Sequence, residues 1–493
     1  MSGQAQCEAQ KIVALSAWEL ATHIREGNLR AETVVEATLA RIESCNPAIN
    51  ALCTVDSGRS LIAARNIDRQ RSRGDNLPAL AGVPVGIKDI TATAELRTTF
   101  GSPLCQNNVP QYDAEVVARL RAAGAIVIGK TNTPEFAAGA NTVNPLFGAT
   151  CNPWDTRLSA GGSTGGGAAA LASGMIALAQ GTDLGGSLRN PAAFCGVVGL
   201  RPTPGLVPTV PSSAPWDTLQ VDGPMARTAA DVWLALQSMA GYCRHTGVSI
   251  PGRPAASELP LNLQPLDKQP RPYKVAYIED IAGFGMDPSI SQQCAGALER
   301  LKAKGCAVER IELNLRGYVG SFITLRGQVI VAQLYPWLER IDELGENLQN
   351  NLRSGLAVTT RELAAAQHQR HTLRQKLMTL LEGYDALLTP TTSVMPFPVK
   401  QNYPAQIAGH PMTSYIDWVA PTFLWSLPGL PVVSVPAGYT SIGLPVGLQI
   451  MTQPWQEGLA LATAGMIEPG TPFILAPGTH GPGLAGTADE AGL

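Results

Sequence analysis

Charge is sparse in this chain. Of 493 residues, only 15% are Asp, Glu, Lys or Arg, and the net charge is −3. No basic run occurs, so the cation density that a nucleic-acid backbone calls for is missing. Histidine is rarer still. The six histidines, at positions 23, 245, 368, 371, 410 and 480, all lie away from the glycine-rich stretch described below. The commonest base for activating a serine is therefore not at hand there. The nine cysteines are odd in number and include no Cys-x-x-Cys pair. That argues against a disulfide framework and a metal site, and reads as reduced, mostly buried thiols. No metal and no organic cofactor is expected. Long hydrophobic runs are also missing. The longest, residues 168–179, is broken by Ser173 and Gly174 and is too short to cross a bilayer. The first ten residues are polar and carry no signal-peptide core. The expected setting is cytoplasmic, with no membrane and no nucleic-acid partner.

Glycine and small apolar residues, by contrast, are plentiful. There are 50 glycines, and 45% of the chain is hydrophobic, enough for a large core. The glycines concentrate in Gly161-Gly162-Ser163-Thr164-Gly165-Gly166-Gly167 and, further on, in Thr182-Asp183-Leu184-Gly185-Gly186-Ser187-Leu188-Arg189. Two Gly-Gly-Ser triplets thus stand 24 positions apart. Such clusters suit a backbone that turns sharply or approaches another group closely. A serine straight after two glycines can sit beside unpaired backbone N–H groups, which is what a nucleophile next to an oxyanion site requires.

Several elements can be read around this block. Ser16-Ala17-Trp18-Glu19 is a capping box opening a helix. A second helix spans 31–45, and Pro47 is expected to stop it. Residues 80–90 form an apolar run, a buried strand with Lys88 and Asp89 at its end. A helix over 113–124 with a glycine stop and a β-branched strand over 125–129 give a β–α–β rhythm. That rhythm indicates an α/β sandwich with a substantially parallel sheet. A helix over 413–424 should precede the last two strands, and the proline-rich residues 244–272 read as a surface connection. No linker separates these parts, so one domain is expected over 1–493. It divides into an N-terminal helical part (about 15–75), a core (about 80–240), a variable helical region (about 318–383), C-terminal strands and a helix (about 384–468) and a mobile tail (469–493).

Together with Gly82-Val83-Pro84-Val85-Gly86-Ile87-Lys88-Asp89, Gly129-Lys130-Thr131-Asn132 and Leu430-Pro431-Val432-Val433-Ser434-Val435-Pro436-Ala437-Gly438, the glycine-rich block resembles the signature of the amidase signature enzymes. These are serine hydrolases with a Ser–Ser–Lys triad. The resemblance covers roughly residues 15–468. It implies an α/β/α sandwich around a large mixed, mainly parallel sheet of about eleven strands. Most members have Ser at the position of Thr164, often Ser at that of Gly167, and Asn at that of Ser426; Thr164 keeps a hydroxyl.

Lys88 is the better candidate for the base. It is one of two lysines between residues 80 and 210 and follows a run too apolar for the surface. Burial favours a neutral amine over an ammonium. By resemblance, Ser163 follows a cis peptide bond and bridges Lys88 and Ser187. Ser187 is then the nucleophile, and the N–H groups of Leu184, Gly185, Gly186 and Ser187 cradle the oxyanion. Phe136, Gly162 and Thr182 are expected at the substrate, with Trp216, Trp418 and Trp425 as further aromatic candidates. Asp183 and Arg189 read as a buried pair bracing the loop, and Asp89 and Lys130 as structural.

Other motifs fit less well. Gly161-x-Ser163-x-Gly165 matches a nucleophile elbow, but no apolar strand precedes it. Gly124 to Thr131 matches a phosphate-binding loop, but its middle residues are strand-like. The implied reaction is hydrolysis of a small-molecule carboxylic amide, with aryl acylamides, carbamates (urethanes) and esters as further substrates. A homodimer is left open. The alternative is a glutaminase component of a tRNA-dependent amidotransferase complex.

Overall fold

The structure, a computed structural model, describes residues 3–249 and 273–468. Most of the proline-rich connection and the whole 469–493 tail lie outside the described residues. The strands, in chain order, are β1 (Leu52–Val55), β2 (Pro84–Lys88), β3 (Ile126–Thr131), β4 (Val143–Asn144), β5 (Gly148–Ala149), β6 (Leu178–Asp183), β7 (Val198–Arg201) and β8 (Val221–Ala226). Then follow β9 (Lys274–Tyr277), β10 (Ala307–Arg310), β11 (Ala386–Pro390), β12 (Gln406–Ile407), β13 (His410–Pro411), β14 (Val432–Tyr439) and β15 (Pro445–Met451).

Eleven strands form one sheet in the order β1-β3-β2-β6-β8-β7-β14-β15-β11-β9-β10, while β4–β5 and β12–β13 are separate pairs. Every residue of β2, β3, β6, β7 and β8 is buried. A strand without a solvent face must be covered on both sides, here by helices, which gives the three-layer sandwich. The sheet is mixed, as expected, but it is not mainly parallel. The pairs β3–β2, β2–β6, β11–β9 and β9–β10 are parallel. The pairs β1–β3, β6–β8, β8–β7, β7–β14, β14–β15 and β15–β11 are antiparallel. The β–α–β rhythm holds toward the ends of the sheet. In the middle, β7 reaches β8 without a helix and β14 turns straight into β15, and such connections reverse the chain.

Local signals decide several element ends. Ser16 and Glu19 form the capping box that starts the helix Ala17–Glu26. Thr228 caps Ala229–Met239 by accepting from Asp231 N–H. Two expectations fail. The second helix runs through Pro47 to Ile49. So near a helix end, proline removes little of the hydrogen-bond ladder, and Asn50 closes the last turn in the left-handed region, its N–H donating to Asn46 O at 2.7 Å. The helix expected over 413–424 begins only at Ala420, after a 3₁₀ turn at Asp417–Val419. The Asp417 carboxylate accepts from the N–H groups of Thr413 (2.7 Å) and Ser414 (3.0 Å), which folds that segment as a turn.

Candidate active site

β2 delivers Lys88 to the interior with no solvent exposure. Its neighbours there are hydroxyls. Lys88 Nζ donates to Ser163 Oγ at 2.7 Å, Thr182 Oγ1 at 2.9 Å and Thr164 Oγ1 at 3.1 Å. Thr164 thus supplies, through its hydroxyl, a contact that a serine there would also make. Burial pulls the Lys88 amine from 10.5 down to about 7, although the Asp183 and Asp222 carboxylates act to raise it. Behind Lys88, Gln180 links two groups. Its Oε1 accepts from the Lys88 N–H (3.3 Å), and its Nε2 donates to Asp222 Oδ1 (2.7 Å). Burial pushes the Asp222 carboxyl up to about 6, against hydrogen bonds from Thr209 and Gln180. Sequence reasoning passed over Asp222, although an acid inside the apolar run of β8 was a visible signal.

Ser163 stands on a turn that only a glycine-rich backbone fits. Gly161 has φ +74°, in the left-handed region, and the Gly162–Ser163 peptide is cis. Thr142 Oγ1 donates to Gly161 O (2.8 Å) and Thr133 Oγ1 to Ser163 O (3.0 Å), fixing the turn. The Ala-rich helix Gly165–Ala172 starts immediately after it. The two Gly-Gly-Ser loops meet where Thr164 N–H donates to Ser187 O at 3.1 Å. Lys88 and Ser163 are therefore joined by a hydrogen bond. A hydrogen bond between Ser163 and Ser187 is not formed; no described residue is hydrogen-bonded to the Ser187 hydroxyl. Both side chains line the same cavity of about 210 Å³.

The Ser187 loop is braced from behind, with a third member that sequence reasoning did not assign. Asp183 pairs with Arg189 (Nε–Oδ2 3.0 Å) and also with Arg201 (3.4 Å), and all three side chains are fully buried. Burial alone would raise the Asp183 carboxyl, but the two guanidiniums hold it at about 2. Asp183 also accepts from Gly186 N–H at 2.8 Å. This removes Gly186 from the expected oxyanion donors: its N–H points at the carboxylate. Among the described residues, none accepts from the N–H of Leu184, Gly185 or Ser187, so these three stay available. Gly186 keeps a different necessity, since its φ of +119° and a would-be Cβ 2.2 Å from Thr422 Oγ1 leave no room for a side chain. Ser426 belongs to the brace as well, its Oγ accepting from Arg189 Nη2 at 2.5 Å.

Phe136, Gly162 and Thr182 line the cavity. Trp216 does not; it is 76% exposed. Trp418 and Trp425 are core residues, and Trp418 stacks on Phe194 at 5.3 Å. Lys130 Nζ donates to Thr91 O and Thr93 Oγ1, and Asp89 accepts from Thr99, so neither reaches Ser163. Among the described residues no histidine lines the cavity, and none of the His, Cys, Asp and Glu groups is arranged to hold a metal. One wall comes from the helix Val319–Gln333, through Phe322, Arg326 and Ile330. No sequence motif marked these residues, because only folding brings them within reach of a site more than a hundred positions away.

A family model described as Amidase matches residues 33–461. An acylamidase of Rhodococcus erythropolis is 34% identical over 468 residues, covering 94% of this chain and 97% of its own. A glutamyl-tRNA(Gln) amidotransferase component from Carboxydothermus hydrogenoformans is also 34% identical, over 491 residues, covering 93% of this chain and 98% of its own. The solved structure of a bacterial aryl acylamidase of the amidase signature enzymes aligns with a TM-score of 0.83 over 92% of this chain and 96% of its own, at 24% identity, a likeness of fold.

Proposed function

The chain belongs to the amidase signature family, as a hydrolase of that family, and from this premise we propose that it cleaves a carboxylic amide with Ser187 as nucleophile, Ser163 as proton relay and Lys88 as base. The observation that carries the proposal is a fully buried amine in contact with three hydroxyls, Ser163 Oγ at 2.7 Å among them, in surroundings whose burial lowers its pKa to about 7. A neutral amine has a lone pair, so it accepts the Ser163 proton as Ser163 accepts that of Ser187. Ser187 Oγ then bonds to the carbonyl carbon, and the oxyanion forms beside the N–H groups of Leu184, Gly185 and Ser187. Protonated Lys88 returns its proton through Ser163 to the leaving nitrogen, and the C–N bond breaks, leaving an ester on Ser187. Water repeats the sequence, releasing the acid and restoring the serine. Catalytic hydrogen bonds are often long before substrate arrives; the open Ser163–Ser187 link is the one that has to close.

Carbamates (urethanes) and esters present the same carbonyl to the same donors and differ in the leaving group. A glutaminase role within a tRNA-dependent amidotransferase is the second reading, favoured by the equal likeness to the amidotransferase component. The apolar lining from Phe136, Phe322, Ile330 and Leu334 supports the first, since it suits a substrate that carries an apolar portion beside the amide. The test is a panel of amides, anilides, carbamates, esters and glutamine, with Ser187→Ala as control. Turnover of anilides that the control lacks supports the proposal. Activity confined to glutamine and dependent on co-purifying chains supports the second reading.

A further inference from the structure

Among the residues lining the cavity, one carries a formal charge: Arg326, on the helix Val319–Gln333. Its partners are all neutral. Nη1 donates to Asn351 Oδ1 at 2.6 Å, Nη2 donates to the Tyr415 hydroxyl, and the guanidinium carbon stands 5.7 Å from the Tyr415 ring centre. No described carboxylate pairs with it. Asn351 Nδ2 also donates to the Tyr415 oxygen, at 2.7 Å. That oxygen therefore accepts twice, and its own proton must point elsewhere. Among the described residues nothing accepts it, although Tyr415 is only 8% exposed and lines the cavity. Two kinds of donor, the remaining guanidinium N–H groups and the tyrosine O–H, are thus held in place with no acceptor among the described residues. A guanidinium fork with a neighbouring hydroxyl matches a carboxylate.

We propose that Arg326 and Tyr415 form an anion subsite that reads a carboxylate on the substrate, so that the preferred substrate is an amide bearing a negatively charged group. The inference rests on the amide-hydrolase reading above for the position of the scissile carbonyl. Phe322 marks that position on the helix. A Cβ at Gly185 would lie 2.8 Å from Phe322 Cζ, so Phe322 packs on the oxyanion loop. Arg326 follows one turn later, about 6 Å along the axis, the span of roughly four or five single bonds. Two substrate designs meet that span: the monoamide of a dicarboxylic acid, with the charge on the acyl side, and an acylated amino acid, with the charge on the amine side.

The experiment measures binding apart from turnover. The Ser187→Ala protein is titrated calorimetrically with two matched pairs: glutaric acid monoanilide against its carboxamide, and 3-acetamidobenzoate against 3-acetamidobenzamide. In at least one pair the carboxylate should bind about tenfold tighter or more, as hydrogen bonds to a charged group imply. Adding Arg326→Gln should bring the ratio to about one, Arg326→Lys should keep part of it, and Tyr415→Phe, which removes only the hydroxyl, should lower it. A purely structural Arg326 would weaken both members of a pair alike. Ratios near one in both pairs, a ratio untouched by Arg326→Gln and Tyr415→Phe, or no binding by any of the four compounds would overturn the subsite. Turnover of the neutral members by the wild-type enzyme without charge preference counts against this inference alone. A binding preference with no turnover of any amide counts against the hydrolase reading alone.

Discussion

The Lys88 amine sets a pH dependence that can be worked out from its surroundings. A fall from 10.5 to about 7 corresponds to ~5 kcal/mol against the charged form. In water only about one lysine in a few thousand is neutral at pH 7; buried beside Ser163, about half are. The value of kcat/KM for a neutral anilide should therefore rise with pH through about 7 and level off above it. Asp222 acts to raise this pKa, so Asp222→Asn should move the acid limb to lower pH. The assay is initial-rate kinetics at constant ionic strength from about pH 5.5 to about pH 9.5. Stability carries the same signature. The folded value lies below the unfolded one, so between about 7 and 10.5 the unfolded chain binds more protons, and the contribution of Lys88 to stability improves as pH rises across that window. Below about 7 the full cost of the buried amine is present, and Lys88→Met should make the protein more stable there, with the advantage fading towards pH 10.5. A rate profile that climbs only near the ordinary lysine value, or an Asp222→Asn limb displaced to higher pH, would refute a base tuned by burial.

Further outcomes concern the two serines with Lys88, the buried brace, and Gly186 against Trp216. Ser187→Ala should abolish turnover and leave the melting curve unchanged, Lys88→Ala should do nearly as much to the rate, and Ser163→Ala should lose several orders of magnitude; a sulfonyl fluoride label mapped by mass spectrometry should sit on Ser187. Asp183→Asn leaves Arg189 and Arg201 buried without their carboxylate, and denaturant titration should show a loss of about 3–5 kcal/mol. Gly186→Ala forces a side chain onto Thr422 at φ +119°, and both activity and stability should fall, whereas Trp216→Ala, at a residue 76% exposed and away from the cavity, should leave KM unchanged.

The sequence by itself settled what depends on neighbours along the chain. The capping box at Ser16, the Thr228 cap, the apolar strand ending in Lys88 and the glycines around Ser163 and Ser187 are local patterns with local physical causes, and they were readable. Asp183 with Arg189 was readable for the same reason, the two being six positions apart. Tertiary structure decided what depends on distance through space. It placed three hydroxyls around the Lys88 amine, turned Gly186 N–H toward Asp183, and added Arg201 to the brace. It also ran the middle strands antiparallel, hid Trp418 and Trp425 in the core, and set Arg326 and Tyr415 on the cavity that the two serines line. Burial, and with it the protonation of an amine or the pairing of a guanidinium, belongs to the packed surroundings of a side chain. Those surroundings come from segments far apart in sequence, which no single stretch of the chain encodes.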